Sequence, residues 1–292
     1  MGIHKLTDSI KRFAPGSMRQ ICAASLRTRV LAIDTSIWIY QCFATALESL
    51  DAVTETDMVV AAVVDSVLGR SRVLIDTLGV SKLIFVLEGV PLECKRSTNE
   101  LRASRRTHTH QRALECRDPI TQRKLFRQCL SPSRALATAV VDALTTTWPD
   151  HVDVVVAPHE AEAYCAQLCA RDEAWAAVTE DMDALTFGAK RQLRHCSSTT
   201  LSNCNFPSLV LIDLETLLEE SKLTRAQFID FCVLSGCDFC PTIPRIGPIT
   251  AYKLITKHGS VEAILKNEPK LTVPDSFSEA YLTAHNLFLN NV

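Results

Sequence analysis

Two pairs of acids, each spaced acid-x-acid, lie close together in the chain: Glu160 with Glu162, and Asp181 with Asp183. Carboxylates gathered in one place repel each other unless a cation compensates them, so the chemistry to look for is metal binding. The flanking sequence supports convergence. Val152–Ala157 is an apolar, β-branched run of buried-strand type, and Pro158 then suits the first turn of a helix running to about Arg171. Ala174–Val178 reads as the next buried strand, from whose end Asp181 and Asp183 would leave on one face, as the period of two requires. Asp34 follows the apolar run Val30–Ile33, and Glu88 follows Leu83–Leu87. A lone acid at a helix N-terminus is only a partner for the helix dipole. Acids closing four separate strands are a different matter, because ligands of an open parallel sheet bind beyond the carboxyl ends of its strands.

With 292 residues, 47% of them hydrophobic, the chain can bury one large core and a small appended module. The opening MGIHKLTDSIKRFAPG lacks the apolar stretch of a signal peptide, and no run approaches the roughly 18 residues of a membrane span. Met1-Gly2 opens a myristoylation pattern, but position six is Leu6. An intracellular home with no membrane partner is expected. Twelve cysteines then read as free thiols, and Cys237-x-x-Cys240 lacks the second pair a zinc site needs. The net charge of −2 conceals a division: Lys95 to Arg127 holds ten Lys/Arg against three acids, a block of +7 in a remainder of −9. Alone, such a run is a solvated face. Beside an acidic rim it suits a polyphosphate, with cations on the backbone and carboxylates on metals.

In chain order, Lys5–Phe13 is amphipathic, Val30–Ile33 is the first strand, and the helix after Asp34 carries Tyr40, a residue for base stacking or for the core. Met58–Leu78 reads as one long helix and Lys82–Leu87 as the parallel strand after it. Lys95 and Arg102, seven apart, share a face of an exposed helical excursion above the strand ends. Ser133–Thr146 is helical, Ser197–Ser208 a polar loop, Leu209–Ile212 a late strand and Thr224–Leu234 a helix running to Asp238. The turn Ile243–Pro248 opens a helix to about His258, and is either a backbone phosphate cradle or a helical corner.

Taken together, Val-Leu-Ala-Ile-Asp34-Thr-Ser, Phe-Val-Leu-Glu88-Gly, Ala-Pro-His-Glu160-Ala-Glu162-Ala, Thr-Glu-Asp181-Met-Asp183, Gly-Cys-Asp238-Phe-Cys and Ile-Gly247-Pro, with Met-Gly-Ile at the start, resemble the flap endonuclease branch of the structure-specific 5′-nuclease (xeroderma pigmentosum group G) superfamily. The resemblance implies an α/β fold. A mostly parallel central sheet flanked by helices would form a PIN-like nuclease core, with a helical arch and a C-terminal helix-hairpin-helix. The segments would be core at 1–94, arch at 95–130, core at 131–234, the last acid and hairpin at 235–270, and a C-terminal piece at 271–292. By resemblance Asp34, Glu160, Glu162, Asp181, Asp183 and Asp238 take metal-binding positions and Glu88 the seventh, their oxygen-only set indicating two Mg²⁺ that Mn²⁺ can replace. The two ions, ~3.5–4 Å apart, would activate the attacking water and stabilise the leaving 3′-oxygen. Lys95 and Arg102 match the arch pair that grips the scissile phosphate, with Arg105 and Arg106 beside them. Tyr40 matches a stacking aromatic and Gly2 the N-terminal residue near the site. Ile246 and Gly247 belong to the hairpin, which would hold duplex with a bound K⁺.

The implied activity is metal-dependent 5′-flap cleavage, with 5′-exonuclease action, on branched DNA in replication, repair or recombination. A monomer is implied, in the nucleus or else the cytoplasm, without a Gln-x-x-Leu-x-x-Phe-Phe sliding-clamp motif. Two departures from the family's pattern stand out: Glu88 replaces Asp, and Arg245 a hairpin Gly. The longer acid is expected to loosen the first cation, favour Mn²⁺ and make Glu88→Asp faster with Mg²⁺. The rival readings are an RNA-directed endonuclease of the same superfamily and a catalytically weak DNA-binding scaffold.

Overall fold

In a computed structural model, residues 3, 5–197, 200–201 and 207–290 are described, so Gly2 and most of the Ser197–Ser208 loop lie outside the described residues. The order begins α1 (Leu6–Phe13), β1 (Met18–Cys22), β2 (Val30–Asp34), α2 (Thr35–Ser49), α3 (Asp57–Arg72) and β3 (Lys82–Leu87). It continues with α4 (Arg96–Glu115), α5 (Pro119–Cys129), α6 (Arg134–Thr147), β4 (Val152–Val156), α7 (Ala161–Ala170) and β5 (Ala176–Val178). Then come α8 (Asp183–Thr186), β6 (Arg191–Arg194), β7 (Pro207–Asp213), α9 (Leu214–Ser221), α10 (Arg225–Ser235), α11 (Pro248–His258), α12 (Val261–Asn267) and α13 (Phe277–Leu289).

The seven strands form one sheet in the order β1-β7-β6-β5-β2-β3-β4. β6, β5, β2, β3 and β4 are mutually parallel, and β7 and β1 join antiparallel at one side. Period-two alternation splits the apolar residues between two cores. Leu31 and Ile33 of β2, with Leu83 and Phe85 of β3, face α2, α3 and α6. Ala32, Ile84 and Val86 face the opposite layer, which contains α7, α8 and α10. Phe85 is fully buried, so Phe85→Ala would cost ~3–5 kcal/mol through lost transfer energy and a cavity.

The arch is as polar as its composition requires. Ala113 is the only buried residue of α4 and α5 has none, so this pair stands off the core and packs on itself, with His110 edge-on to Phe126 at 5.5 Å. It is two helices because Pro119 starts the second, capped by Asp118, whose carboxylate accepts Thr121 N at 2.8 Å.

The structure corrects four readings. The helix expected over Met58–Leu78 ends at Arg72 and continues as a π-helical turn, Val73–Thr77. The helix expected from Pro158 begins at Ala161, and β5 is shorter than Ala174–Val178. Asp181 and Asp183 do not leave a strand together, since β5 ends at Val178 and Asp183 opens α8. β1 and β6 had no counterpart in the sequence reading; Arg191 and Arg194 at the ends of β6 mask its two buried central residues.

Candidate metal centre

β5, β2, β3 and β4 are neighbours in the sheet, so the acids that follow them share one rim. Asp34 ends β2 and caps α2, accepting Ile37 N at 3.2 Å, while its second oxygen accepts the Thr179 hydroxyl at 2.9 Å. After β5 the chain folds on itself: Asp181 N donates to Thr179 Oγ1 at 3.1 Å, and Asp183 N to Asp181 Oδ1 at 3.0 Å. Buried Gln192 of β6 holds this turn from below through the carbonyls of Thr179 (2.9 Å) and Asp181 (2.8 Å). Asp183 Oδ1 accepts Ile3 N at 2.9 Å, which fastens the start of the chain to the site.

Beyond β3 and β4 the chains stay paired. Gly89 N donates to His159 O at 2.7 Å and Val90 N to Pro158 O at 3.1 Å. That approach needs glycine: a Cβ on Gly89 would lie 1.9 Å from Ala157 O. Glu160 then occupies the N-cap of α7 and Glu162 its first turn.

Ligand atoms of Glu88, Glu160 and Glu162 lie within 4.8 Å of one another, as do those of Glu162, Asp181 and Asp183. Glu162 is common to both triads, which gives two adjoining cation positions. The fit to hard divalent cations rests on the donors, all oxygen, and on Asp183 Oδ2, which is buried and has no hydrogen-bond partner. Asp34, Glu88, Glu162, Asp181 and Asp238 also line one cavity of about 860 Å³, together with Tyr40, Lys95 and Arg102.

Burial drives the electrostatics. Desolvation pushes the Asp34 carboxyl up to about 6 against its hydrogen bonds to Ile37 and Thr179. Desolvation, then Asp181, raises Glu162 and Asp183 well above the ordinary carboxylate range, and desolvation raises Asp181 itself. Glu88 is pushed up by desolvation, then by Asp34 and Glu160, and its partial exposure to solvent screens the two charge repulsions.

The arch supplies the opposite charge. Lys95 bonds Glu160, lies 3.8 Å from Glu162 and sits over the Phe239 ring at 5.4 Å. Burial would lower its ammonium, but Glu162 and Glu160 outweigh that and hold it above its ordinary value. Arg102 Nη2 bonds Asp238 Oδ2 at 2.6 Å, and Thr98 Oγ1 donates to the Asp238 carbonyl at 2.7 Å. Arg105 and Arg106 are exposed farther along α4, with no carboxylate partner among the described residues.

Two family models match the chain: the XPG N-terminal domain over residues 1–109 and the XPG I-region over 151–238. Flap endonuclease 1-A of Sorghum bicolor is 35% identical over 294 residues, covering 99% of this chain and 75% of its own length. Flap endonuclease 1 of Tetrahymena thermophila is 32% identical over 307 residues, with 99% and 77% covered. This chain belongs to the flap endonuclease branch of the XPG family. Its fold is that of the catalytic core of Rad2 in complex with DNA substrate (TM-score 0.66, 20% identity, 99% of this chain and 80% of that one). It is also that of flap endonuclease-1 from Methanococcus jannaschii (TM-score 0.66, 19% identity, 96% and 83%).

Of the residues expected in a flap endonuclease site, Asp34, Glu88, Glu162, Asp181, Asp238, Lys95 and Arg102 meet in the cavity, while Glu160 and Asp183 join them through the two carboxylate triads. Tyr40 lines it too and is 51% exposed, which removes the alternative of a core tyrosine. Ile246 is buried and Gly247 caps α11, in the turn after Asp238. Arg245 has φ 68°, a left-handed backbone that glycine adopts at no steric cost and arginine does at ~1–2 kcal/mol. The chain therefore keeps a backbone suited to Gly while presenting a guanidinium. Sequence reasoning missed Thr179, Gln192 and Gly89, which hold the acids without being ligands. Thr179 alone had a signal, as the polar residue after a buried strand.

Proposed function

We infer that this flap endonuclease hydrolyses one phosphodiester of branched DNA near the junction of a single-stranded 5′ flap with duplex, and that it requires Mg²⁺, replaceable by Mn²⁺, at two positions. The reading is carried by two carboxylate triads sharing Glu162, at a cavity that Glu88, Glu162 and Asp181 line together with the two arch cations. Glu88, Glu160 and Glu162 would hold one ion and Glu162, Asp181 and Asp183 the other, with Asp34 and Asp238 oriented beside them. Divalent ions bound there supply Lewis-acid polarisation of the phosphate and a water of lowered pKa.

The chain's own residues do the rest. Lys95 and Arg102 compensate carboxylates here, and an incoming phosphate with cation-filled triads frees them to neutralise the charge that develops on the phosphoryl oxygens. Tyr40 offers a ring on which an unpaired base can stack, worth ~1–3 kcal/mol. No side-chain nucleophile is needed, and the products carry a 5′-phosphate and a 3′-hydroxyl. The turn between α10 and α11, with Ile246 and Gly247, would hold the duplex, and a K⁺ there is part of the proposal. Single-turnover assay of a 5′-flap DNA with Mg²⁺, Mn²⁺ or chelator tests it: cleavage in both metals and none in chelator is expected, and metal-independent cleavage overturns the centre.

A further inference from the structure

Glu160 stands at the N-cap of α7 yet makes no side-chain bond to that helix, because its carboxylate is turned toward Lys95. The bond comes from another strand. Glu88 Oε2 accepts the backbone N–H of Ala161, the first residue of α7, at 3.0 Å. Unsatisfied amides of a first turn are ordinarily met by the helix's own N-cap residue. Here that residue is committed to the site, and the side chain from the end of β3 takes its place.

The reach depends on chain length. The backbone of Glu88 is fixed by its neighbours, Gly89 bonded to His159 and Val90 to Pro158, and cannot slide toward α7. An aspartate there would fall short by one carbon–carbon bond, ~1.5 Å, which puts Ala161 N beyond hydrogen-bond range. We propose that Glu88, besides facing the first cation position, is a positioning residue for its neighbours. It closes the first turn of α7 and so fixes Glu160 and Glu162, while its carboxylate remains within 4.8 Å of theirs. Its consequence for cations rests on the metal-centre reading above; the cap does not. The added methylene is thus a fitted feature, and the expectation that it loosens the centre is reversed.

Amide exchange at Ala161 in the metal-free full chain, read beside Mn²⁺ affinity by titration calorimetry, separates reach from charge. Glu88→Gln keeps the length and an acceptor, so exchange stays within about threefold of wild type. Glu88→Asp and Glu88→Ala speed it about tenfold, equivalent to ~1.4 kcal/mol. Glu88→Asp, although still charged, also weakens Mn²⁺ binding about tenfold, the scale of a lost outer-shell contact. An aspartate variant with wild-type protection or wild-type Mn²⁺ affinity overturns the proposal, as does a glutamine variant as labile as alanine. Flap cleavage by the wild type tests the nuclease reading separately, so the two can fail independently.

Discussion

Glu162 belongs to both carboxylate triads, and Asp181 sits where the chain turns back on itself, so a single substitution at either should empty the centre. Asp181→Ala is expected to abolish cleavage and to leave flap binding within a few-fold, because the proposal gives the grip on DNA to the arch and not to this acid; an active Asp181→Ala enzyme would remove the residue from the centre. Lys95→Ala and Arg102→Ala should each lower single-turnover rates by ~10²–10³, the scale of one preorganised charge partner. The buried acids also set a pH dependence. Asp34, Glu162, Asp181 and Asp183 all have folded-state values above their ordinary ones, so between the two the folded chain holds more protons than the unfolded chain. Stability from this source is present at low pH and lost as pH rises through that window, for Asp34 from 3.8 to about 6. Divalent cation should therefore raise the melting temperature of the metal-free protein more at about pH 8 than at about pH 5, and an equal gain at both would contradict it. At this scale the sequence was most legible: acids beyond apolar runs carry their own signal. The cap from Glu88 was not, because it joins residues 73 positions apart in the chain.

Between β3 and β4 the decisive element is the pair of loops that continue side by side past the strands, and it hangs on Gly89. Gly89→Ala would drive a methyl into Ala157 O, so thermal unfolding should show a loss of ~1–3 kcal/mol, with weaker Mn²⁺ binding. Unchanged stability would mean the loops part at little cost. The arch has its own fastening. Arg123 and Arg127 of α5 both bond Asp51 at the α2–α3 turn, and Arg127 Nε also donates to the Ala52 carbonyl at 3.0 Å. Asp51→Ala should expose α4 and α5 to faster trypsin cleavage in the absence of DNA, whereas an unchanged digestion rate would leave the arch held by its other limb alone. Sequence periodicity indicated an exposed helical excursion here, but neither its break at Asp118 nor this tie is visible in a run read only for charge. The same holds for Asp181 and Asp183: their convergence was expected from strand alternation and is produced by a turn built on Thr179 and Gln192.

Across the whole molecule the charge is divided by use. Lys95, Arg96, Arg102, Arg123 and Arg127 are engaged with carboxylates, while exposed Arg105, Arg106, Arg112, Arg117 and Lys124 have no such partner among the described residues. Of the first group Lys95 and Arg102 meet the site acids and the others hold the arch, while the second group is free for phosphates, which is how a chain of net charge −2 can hold a polyanion. The sheet as a whole was only partly legible, since β6 has an arginine at each end and β1 carries exposed Arg19 and Gln20 within it. The central claim is that this acidic rim, filled with divalent cation, cuts a 5′ flap. The most direct test is single-turnover cleavage of one 5′-flap DNA and its RNA-flap counterpart with Mg²⁺, by wild type and by Asp181→Ala. One cut of the DNA near the junction, preferred over RNA and absent in the variant, is the expected result. Cleavage of the RNA alone would contradict the substrate assignment, and no cleavage of either by wild type in Mg²⁺ or Mn²⁺ would contradict the account.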